Sequence, residues 1–295
     1  LVRAKQLLFT DVSDAFYLLK SHQEDFSALQ DIGKALQERI TELKRRESLG
    51  RSRPSEVAST EVKLYQNEAE MESVSSQRDV ARELLEFLIG KPIVSIAGGD
   101  IADGFGPRED YLAKADLRPD AQAAREALTV AQKKIAIARA GYFPAVDIVG
   151  NSYIKRAQSF SSGNWDISLN ITVPIFNGTQ TAGAVKEARA LAQEARLRLN
   201  QTRRQAGLDI ENAHTRLSAY QKQGDAYKKA LSAAQKNYEL QMADYRNNLV
   251  NNLDVLQALE DMQDARRKYI SIKNQAQRLY WALKVATGDI DDDAF

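Results

Sequence analysis

The 295-residue chain contains no cysteine, which excludes disulfides, thiolate nucleophiles and cysteine-based metal sites. Its basic and acidic side chains nearly cancel, to a net charge of +1, so the basic stripe expected of a nucleic-acid binder is missing. Charged residues reach 27% while aromatics stay at 7%, with Ala, Leu, Gln, Glu, Lys and Arg filling long stretches, the composition of long helices and coiled coils.

In chain order, residues 5–46 read as one long helix that breaks at 48–55. Gly50 suits a helix C-terminal cap there, and Pro54 suits the first turn of the next helix. That helix is predicted over 54–89 and stops at Gly90-Lys91-Pro92, so 1–90 forms a helical hairpin with its tip near 48–55. Residues 91–118 read as a linker punctuated by Gly98, Gly99, Gly104, Gly106 and Pro107, with a short helix at 111–115. Those glycines lack the Gly-Lys-Ser/Thr ending of a phosphate loop. Pro119 opens a helix within a segment spanning 119–144.

Over 145–176 the period changes. Trp165-Asp166-Ile167-Ser168-Leu169-Asn170-Ile171-Thr172-Val173 alternates apolar and polar, as a strand with one greasy and one wet face would. Residues 146–153 are its predicted partner across a polar loop at 155–164. Tilted strands of about nine to eleven residues cross a bilayer core. Phe143, Tyr153, Phe160, Trp165 and Phe176 stand near the strand ends, where an aromatic girdle lies. Helix-forming sequence resumes at 177 and runs to 246, a rod of about 100 Å. A second tip is predicted near 246–253, and a returning helix carries an apolar seam from Leu253 to Leu283. An acidic tail, 289–295, closes the chain. No run of roughly 18 or more apolar residues occurs, so no transmembrane helix is predicted.

The two ends of the chain read as copies of one unit offset by 198 residues without a gap. Gly50 falls on Asn248, Gly90 on Gly288, Glu56-Val57 on Asp254-Val255, Leu19 on Leu217 and Leu85 on Leu283. The first copy lacks the strand-bearing part, so the sequence reads as an internal twofold repeat with the first repeat incomplete. The expected fold is mainly α with a small β part: long coiled-coil hairpins joined to a transmembrane β-hairpin. Two strands cannot close a barrel, and lipid does not tolerate open sheet edges. Other chains, or the missing repeat, must complete them.

Several stretches resemble the TolC-like outer-membrane efflux proteins, in family order. Arg118-Pro119-Asp120 with Ala138-Arg139-Ala140 and Tyr142-Phe143-Pro144 resembles that family's helix-to-strand passage. Val173-Pro174-Ile175-Phe176-Asn177-Gly178 resembles its strand-to-helix exit. Tyr245-Arg246 followed by Leu253-Asp254-Val255-Leu256 resembles its hairpin tip, and Leu49-Gly50 with Ser55-Glu56-Val57 the equivalent tip in the first repeat. The resemblance implies a homotrimer in the outer membrane of a Gram-negative bacterium, sharing one β-barrel and a helical tunnel that extends into the periplasm. It implies an exit duct of a tripartite efflux or type I secretion system, gated at the periplasmic tips, with a periplasmic adaptor and an inner-membrane pump as partners and no cofactor. Three departures stand out, the first being the absent first strand pair. Asn247-Asn248 replaces glycine at the second tip, and Arg51 with Arg53 and Pro54 replaces a more apolar turn at the first.

Under that resemblance the membrane strand presents Trp165, Ile167, Leu169, Ile171 and Val173. Leu49, Gly50, Arg51, Arg53, Asn247, Asn248 and Leu249 are the candidate adaptor contacts. Glu56, Asp254, Tyr245 and Arg246 are candidates for the gate. Glu56 and Asp254 either ring the entrance as carboxylates that favour cations, or are ordinary first-turn acids favoured by the helix dipole. Tyr245 and Arg246 either bond a neighbour's acid, or are a packing tyrosine and a solvated arginine. Arg51 and Arg53 either dock an acidic partner or are plain loop charges. His22 and His214 have no carboxylate or cysteine cluster with which to bind metal. Asp261 and Asp264 are helical surface acids rather than an acid/base pair, so no catalytic residues are predicted. The rival reading is a soluble coiled-coil scaffold or interaction protein without transport.

Overall fold

A computed structural model describes residues 2–96, 98, 105–154 and 164–290. The polar loop at 155–163, with Phe160, the linker glycines Gly99 and Gly104, and residues 291–295 of the acidic tail lie outside the described residues. The elements are α1 (Val2–Ser48), α2 (Pro54–Ile89), α3 (Arg108–Leu112), a 3-10 turn (Ala115–Leu117), α4 (Pro119–Ala140), β1 (Ala145–Ser152), β2 (Trp165–Thr172), α5 (Gln180–Arg246) and α6 (Asn252–Thr287). The chain is thus mainly helical with one small sheet. No described helix is long and apolar enough to cross a membrane.

The chain divides into two compact units, residues 1–118 with 206–295 and residues 119–205. In the first unit α1 packs antiparallel to α2 and also against α6. Its apolar seam Ile32, Leu36, Ile40 and Leu43 meets Val57 and Leu64 of α2, and Val255, Leu256 and Leu259 of α6, in one buried cluster. A second cluster packs Ile210 and Leu217 of α5 on Leu279 and Leu283 of α6, covered by Phe105, Tyr111 and Leu112. His214 sits edge-on to Phe105 there, ring centroids 4.7 Å apart, with Nε2 3.3 Å from the Gly106 carbonyl. The 3-10 segment is fastened by Arg118, buried and paired with Asp209 at 2.8 Å.

Helix α5 is 67 residues long, several times the usual globular length of about a dozen. It begins at Gln180 rather than 177 because Gly178 and Thr179 both take positive φ, 62° and 69°. Only glycine does so without cost. In the second unit the Thr181 hydroxyl lies 3.5 Å from the Gly141 carbonyl, and Val185, Ala188, Ala192 and Leu199 mark the buried stripe of α5. The two strands are antiparallel, with Ile148 opposite Leu169 and Val146 opposite Ile171.

Candidate functional site

Two regions carry the residues singled out by sequence: the helix tips in the first unit and the hairpin in the second. At the first tip α1 ends in a paired turn. The Gly50 amide donates to Glu47 O and the Arg51 amide to Arg46 O, both at 2.8 Å, with Gly50 at φ 69°. The second tip repeats the pattern. The Asn248 amide donates to Tyr245 O at 3.0 Å and the Leu249 amide to Asp244 O at 2.9 Å, with Asn248 at φ 57°. Both are Schellman closures, which need a left-handed residue just past the helix. Asn is the non-glycine residue that tolerates this best. Here its Oδ1 also accepts from Arg46 at 2.7 Å, tying the second tip to α1.

The following helices start differently. Asn251 caps α6, accepting from the Leu253 amide at 2.7 Å and the Asp254 amide at 3.2 Å, while Asp254 returns a bond from the Asn251 amide. This reciprocal capping box satisfies amides that otherwise have no helical partner. Arg53 gives α2 no side-chain cap; Pro54 opens it, and Glu56 in its first turn accepts from the Ser52 hydroxyl at 2.5 Å. Within one chain, then, Glu56 and Asp254 each serve the start of their own helix.

Tyr245 is buried, with its ring between two guanidinium groups of α1: Arg39 lies 3.7 Å and Arg46 4.5 Å from its centroid. Burial pushes its hydroxyl above the ordinary tyrosine range, and Arg39 partly opposes that shift. Arg246, one residue on, faces solvent. Leu49, Leu249 and Leu253 are exposed at the tips, as are Arg51, Arg53 and Asn247.

Sequence reasoning missed the node that joins the tips. Asn252 is 1% exposed. Its Oδ1 accepts from Arg39 Nε at 2.9 Å, while its Nδ2 donates to Thr60 Oγ1 at 3.0 Å and to Glu56 O at 3.3 Å. One amide thereby links α1, α2 and α6. Arg39 is itself 5% exposed, spends Nη1 on Glu42 at 3.0 Å and leaves Nη2 without a partner. The signal was available: Arg39 and Thr60 fall on the apolar seams of their helices.

The hairpin separates its two faces. Trp165, Ile167, Leu169 and Ile171 share one face with Val146 and Ile148, and these six are 60–74% exposed. The other face pairs Asp147 with Asn170, Val149 with Ser168 and Asn151 with Asp166, the last pair bonded at 3.2 Å. Val173 lies just beyond β2, also exposed. No cluster of metal-ligating side chains occurs among the described residues.

The family model for outer membrane efflux proteins matches residues 114–289, more than half of the chain. The chain belongs to the outer membrane efflux protein family. Nodulation protein T of Rhizobium leguminosarum bv. trifolii is 22% identical over 97% of this chain and 64% of its own length. The proteases secretion protein PrtF of Dickeya chrysanthemi is 21% identical over 92% of this chain and 62% of its own length. The chain thus spans less than two thirds of these relatives. Among solved structures, the outer membrane protein VceC of Vibrio cholerae superposes with a TM-score of 0.81 at 24% identity, covering 97% of this chain and 71% of that one. The outer membrane channel CmeC of Campylobacter jejuni gives 0.80 at 18% identity, covering 97% and 63%. The fold is that of these outer membrane proteins, and family membership disfavours the soluble scaffold.

Proposed function

We propose that this chain is a subunit of an outer-membrane exit duct of a tripartite efflux or type I secretion system, assembled as a homotrimer and gated at its helical tips. The observation that carries this reading is the hairpin. Its apolar face is bare, its outer edges have no strand to pair with among the described residues, and its aromatic Trp165 stands at one end. In water such a face is a liability; in lipid it is the only arrangement tolerated, provided neighbouring strands close the sheet.

In the assembled duct the hairpin joins a shared barrel through Trp165, Ile167, Leu169, Ile171 and Val173, and the helices extend into the periplasm. Leu49, Gly50, Arg51, Arg53, Asn247, Asn248 and Leu249 meet a periplasmic adaptor that couples the duct to an inner-membrane pump. Glu56 and Asp254 lie near the entrance, where acids from several chains favour cations over anions. Tyr245, clamped by Arg39 and Arg46, holds the second tip to α1, and exposed Arg246 faces a neighbouring chain. A relative's name for proteases secretion assigns no cargo to this chain, so the reading commits to passive conduction alone.

The test is conductance of the full-length protein in planar bilayers. Discrete steps with cation preference are expected, and Glu56→Gln with Asp254→Asn reduces that preference. A folded trimer that never conducts would overturn the duct; unchanged selectivity in the double variant would remove the acid ring alone.

A further inference from the structure

Where the strand hairpin joins its helices, the chain is basic. Between Glu126 and Asp147 it carries Lys133, Lys134 and Arg139 and no acid. Between Asp166 and Glu194 it carries Lys186 and Arg189 against Glu187 alone. Arg139, Lys186 and Arg189 line one open cleft of about 640 Å³ between the end of α4 and the start of α5, together with Tyr142, Phe143 and the buried Val185. Residues 185, 186 and 189 share one face of α5, and Glu187 is not part of the lining. All three cations are exposed and none has an acidic partner among the described residues, whereas Arg198, further along α5, pairs with Glu194 at 2.7 Å. Helix-end electrostatics account for Arg139, in the last turn of α4. They do not account for Lys186 and Arg189, which follow a helix N-terminus, where the dipole favours acids.

The order of chemistry from strand to helix says what these cations meet. First comes the apolar face of the hairpin, with Val146 opposite Ile171 near its helix-side end. Next comes a collar of exposed Tyr142, Phe143, Ile175 and Phe176, with Tyr142 shared between the basic cleft and an adjoining one lined by Ile175 and Phe176. The cations follow, Arg139 in the final turn of α4 and Arg189 about 14 Å along α5 from its start. Side chains on a helix lean toward its N-terminus, so Lys186 and Arg189 reach back toward the strands. Apolar face, aromatic collar and cations repeat the layering of one bilayer leaflet, which runs from acyl chains through the interface to phosphate. We propose that the cleft binds the phosphodiester headgroup of an anionic phospholipid in the leaflet on the helix side of the membrane. Arg139, Lys186 and Arg189 surround the phosphate, the guanidinium forks suiting its paired oxygens, and the acyl chains lie over Tyr142 and Phe143. The proposal rests on the membrane placement of the hairpin in the duct reading, yet the two fail separately: a trimer that conducts without lipid preference fails here alone.

Native mass spectrometry of the full-length oligomer, delipidated in detergent, follows the binding of added dioleoylphosphatidylglycerol. Dioleoylphosphatidylcholine serves as the net-neutral lipid and inorganic phosphate as the headgroup chemistry without chains. Each basic residue beside an anionic lipid strengthens binding by about fivefold, so three amount to roughly 100-fold. Phosphatidylglycerol should therefore bind at least about tenfold tighter than phosphatidylcholine, and the combined variant Arg139→Gln, Lys186→Gln and Arg189→Gln should lose that preference. Without chains to bury, inorganic phosphate at roughly 100-fold excess should leave the lipid in place. Lys186→Gln alone, at an exposed position, weakens phosphatidylglycerol binding by about fivefold and decides the matter should the triple variant fail to assemble. Arg198→Gln, which removes a charge already paired with Glu194, leaves binding unchanged. Equal binding of the two lipids, displacement by inorganic phosphate, parental preference in the triple variant, or an Arg198→Gln loss as large as that of Lys186→Gln would each overturn the proposal.

Discussion

Asn252→Leu should loosen the tip far more than its single amide suggests. The substitution keeps the branched shape and heavy-atom count but deletes the acceptor of Arg39 Nε and the donor to Thr60 Oγ1 and Glu56 O. A hydrogen bond to a charged group contributes about 1.5–3 kcal/mol and a neutral one about 1 kcal/mol, while the 3.3 Å contact adds little. Arg39, 5% exposed and already short of one partner, then has only Glu42 and the Tyr245 ring. The expected loss is about 3 kcal/mol in the local opening of α6 from α1, equivalent to roughly 100-fold faster amide exchange. Hydrogen–deuterium exchange of the assembled protein over residues 247–258 reads this directly. The asymmetry gives a sharper test. In Arg39→Met with Asn252→Leu no buried charge is left stranded, so at least about half of the loss should be recovered. Exchange within threefold of the parent in the single variant, or a double variant more open than the single, would refute the reasoning.

At the first tip, Gly50→Ala should cost about 1 kcal/mol, because φ is 69° and no atom lies within 4 Å of the added methyl, so the cost is conformational alone; thermal unfolding measures it. Gly50→Asn should lose less, since Asn248 already holds the same conformation at the second tip. On the hairpin, Leu169→Arg should cost about 2–4 kcal/mol of membrane stability while Ser168→Arg, on the opposite face, is tolerated; the yield of heat-resistant oligomer from outer membranes separates them. Burial lowers the pKa of His22 against an opposing pull from Asp25. The unfolded chain therefore takes up a proton first as pH falls below 6.5, and the stability this neutral histidine contributes is present above 6.5 and lost through the folded pKa. Melting temperature should drop more between pH 7 and pH 5 in the parent than in His22→Gln.

Much of this fold was legible because its signals are local. The alternation from Trp165 to Thr172 marked a strand that begins and ends within a residue of expectation. Gly50 and Gly90 announced helix ends, and both take positive φ, as does Gly288, the repeat equivalent of Gly90. Asn248, 198 residues after Gly50, takes it too, which the alignment of the two ends made a natural guess. The buried polar residues were harder. Arg39 belongs to a run of charges with Glu38, Glu42, Arg45 and Arg46, and composition treats all five alike. Only the phase of Ile32, Leu36, Ile40 and Leu43 shows that Arg39 alone points inward. Asn67 likewise occupies a seam position between Leu64 and Val74. Partners three-dimensionally close but about 200 residues apart, such as Arg39 with Asn252, leave no trace in either segment taken alone.

Those inward polar groups have a use that the apolar seams cannot supply. A seam repeating every three or four residues still covers its partner after a slip of seven, so hydrophobic burial leaves the register of α1 on α6 loosely defined. The charges remove that freedom. Asp14 pairs with Arg278 at 2.9 Å, Asp25 with Arg267 at 2.7 Å and Asp31 with Arg266 at 2.9 Å, acids always on α1 and arginines on α6. Each exposed pair contributes at most about 1 kcal/mol. A slip of seven, however, sets Arg267 against Leu18 or Ile32 and Arg278 against Leu7 or Ser21, so those two pairs fail together, while Arg266 meets Glu24 or Glu38 and Asn252 loses its arginine in one direction only. Register is therefore held by the sum, with the Arg39–Asn252 bond as its most buried member. Under the duct reading, this resists opening by sliding. The second tip must swing away from α1, and the contacts that resist the swing are those of Arg39, Arg46, Tyr245 and Asn252, rather than the ion pairs further along the helices.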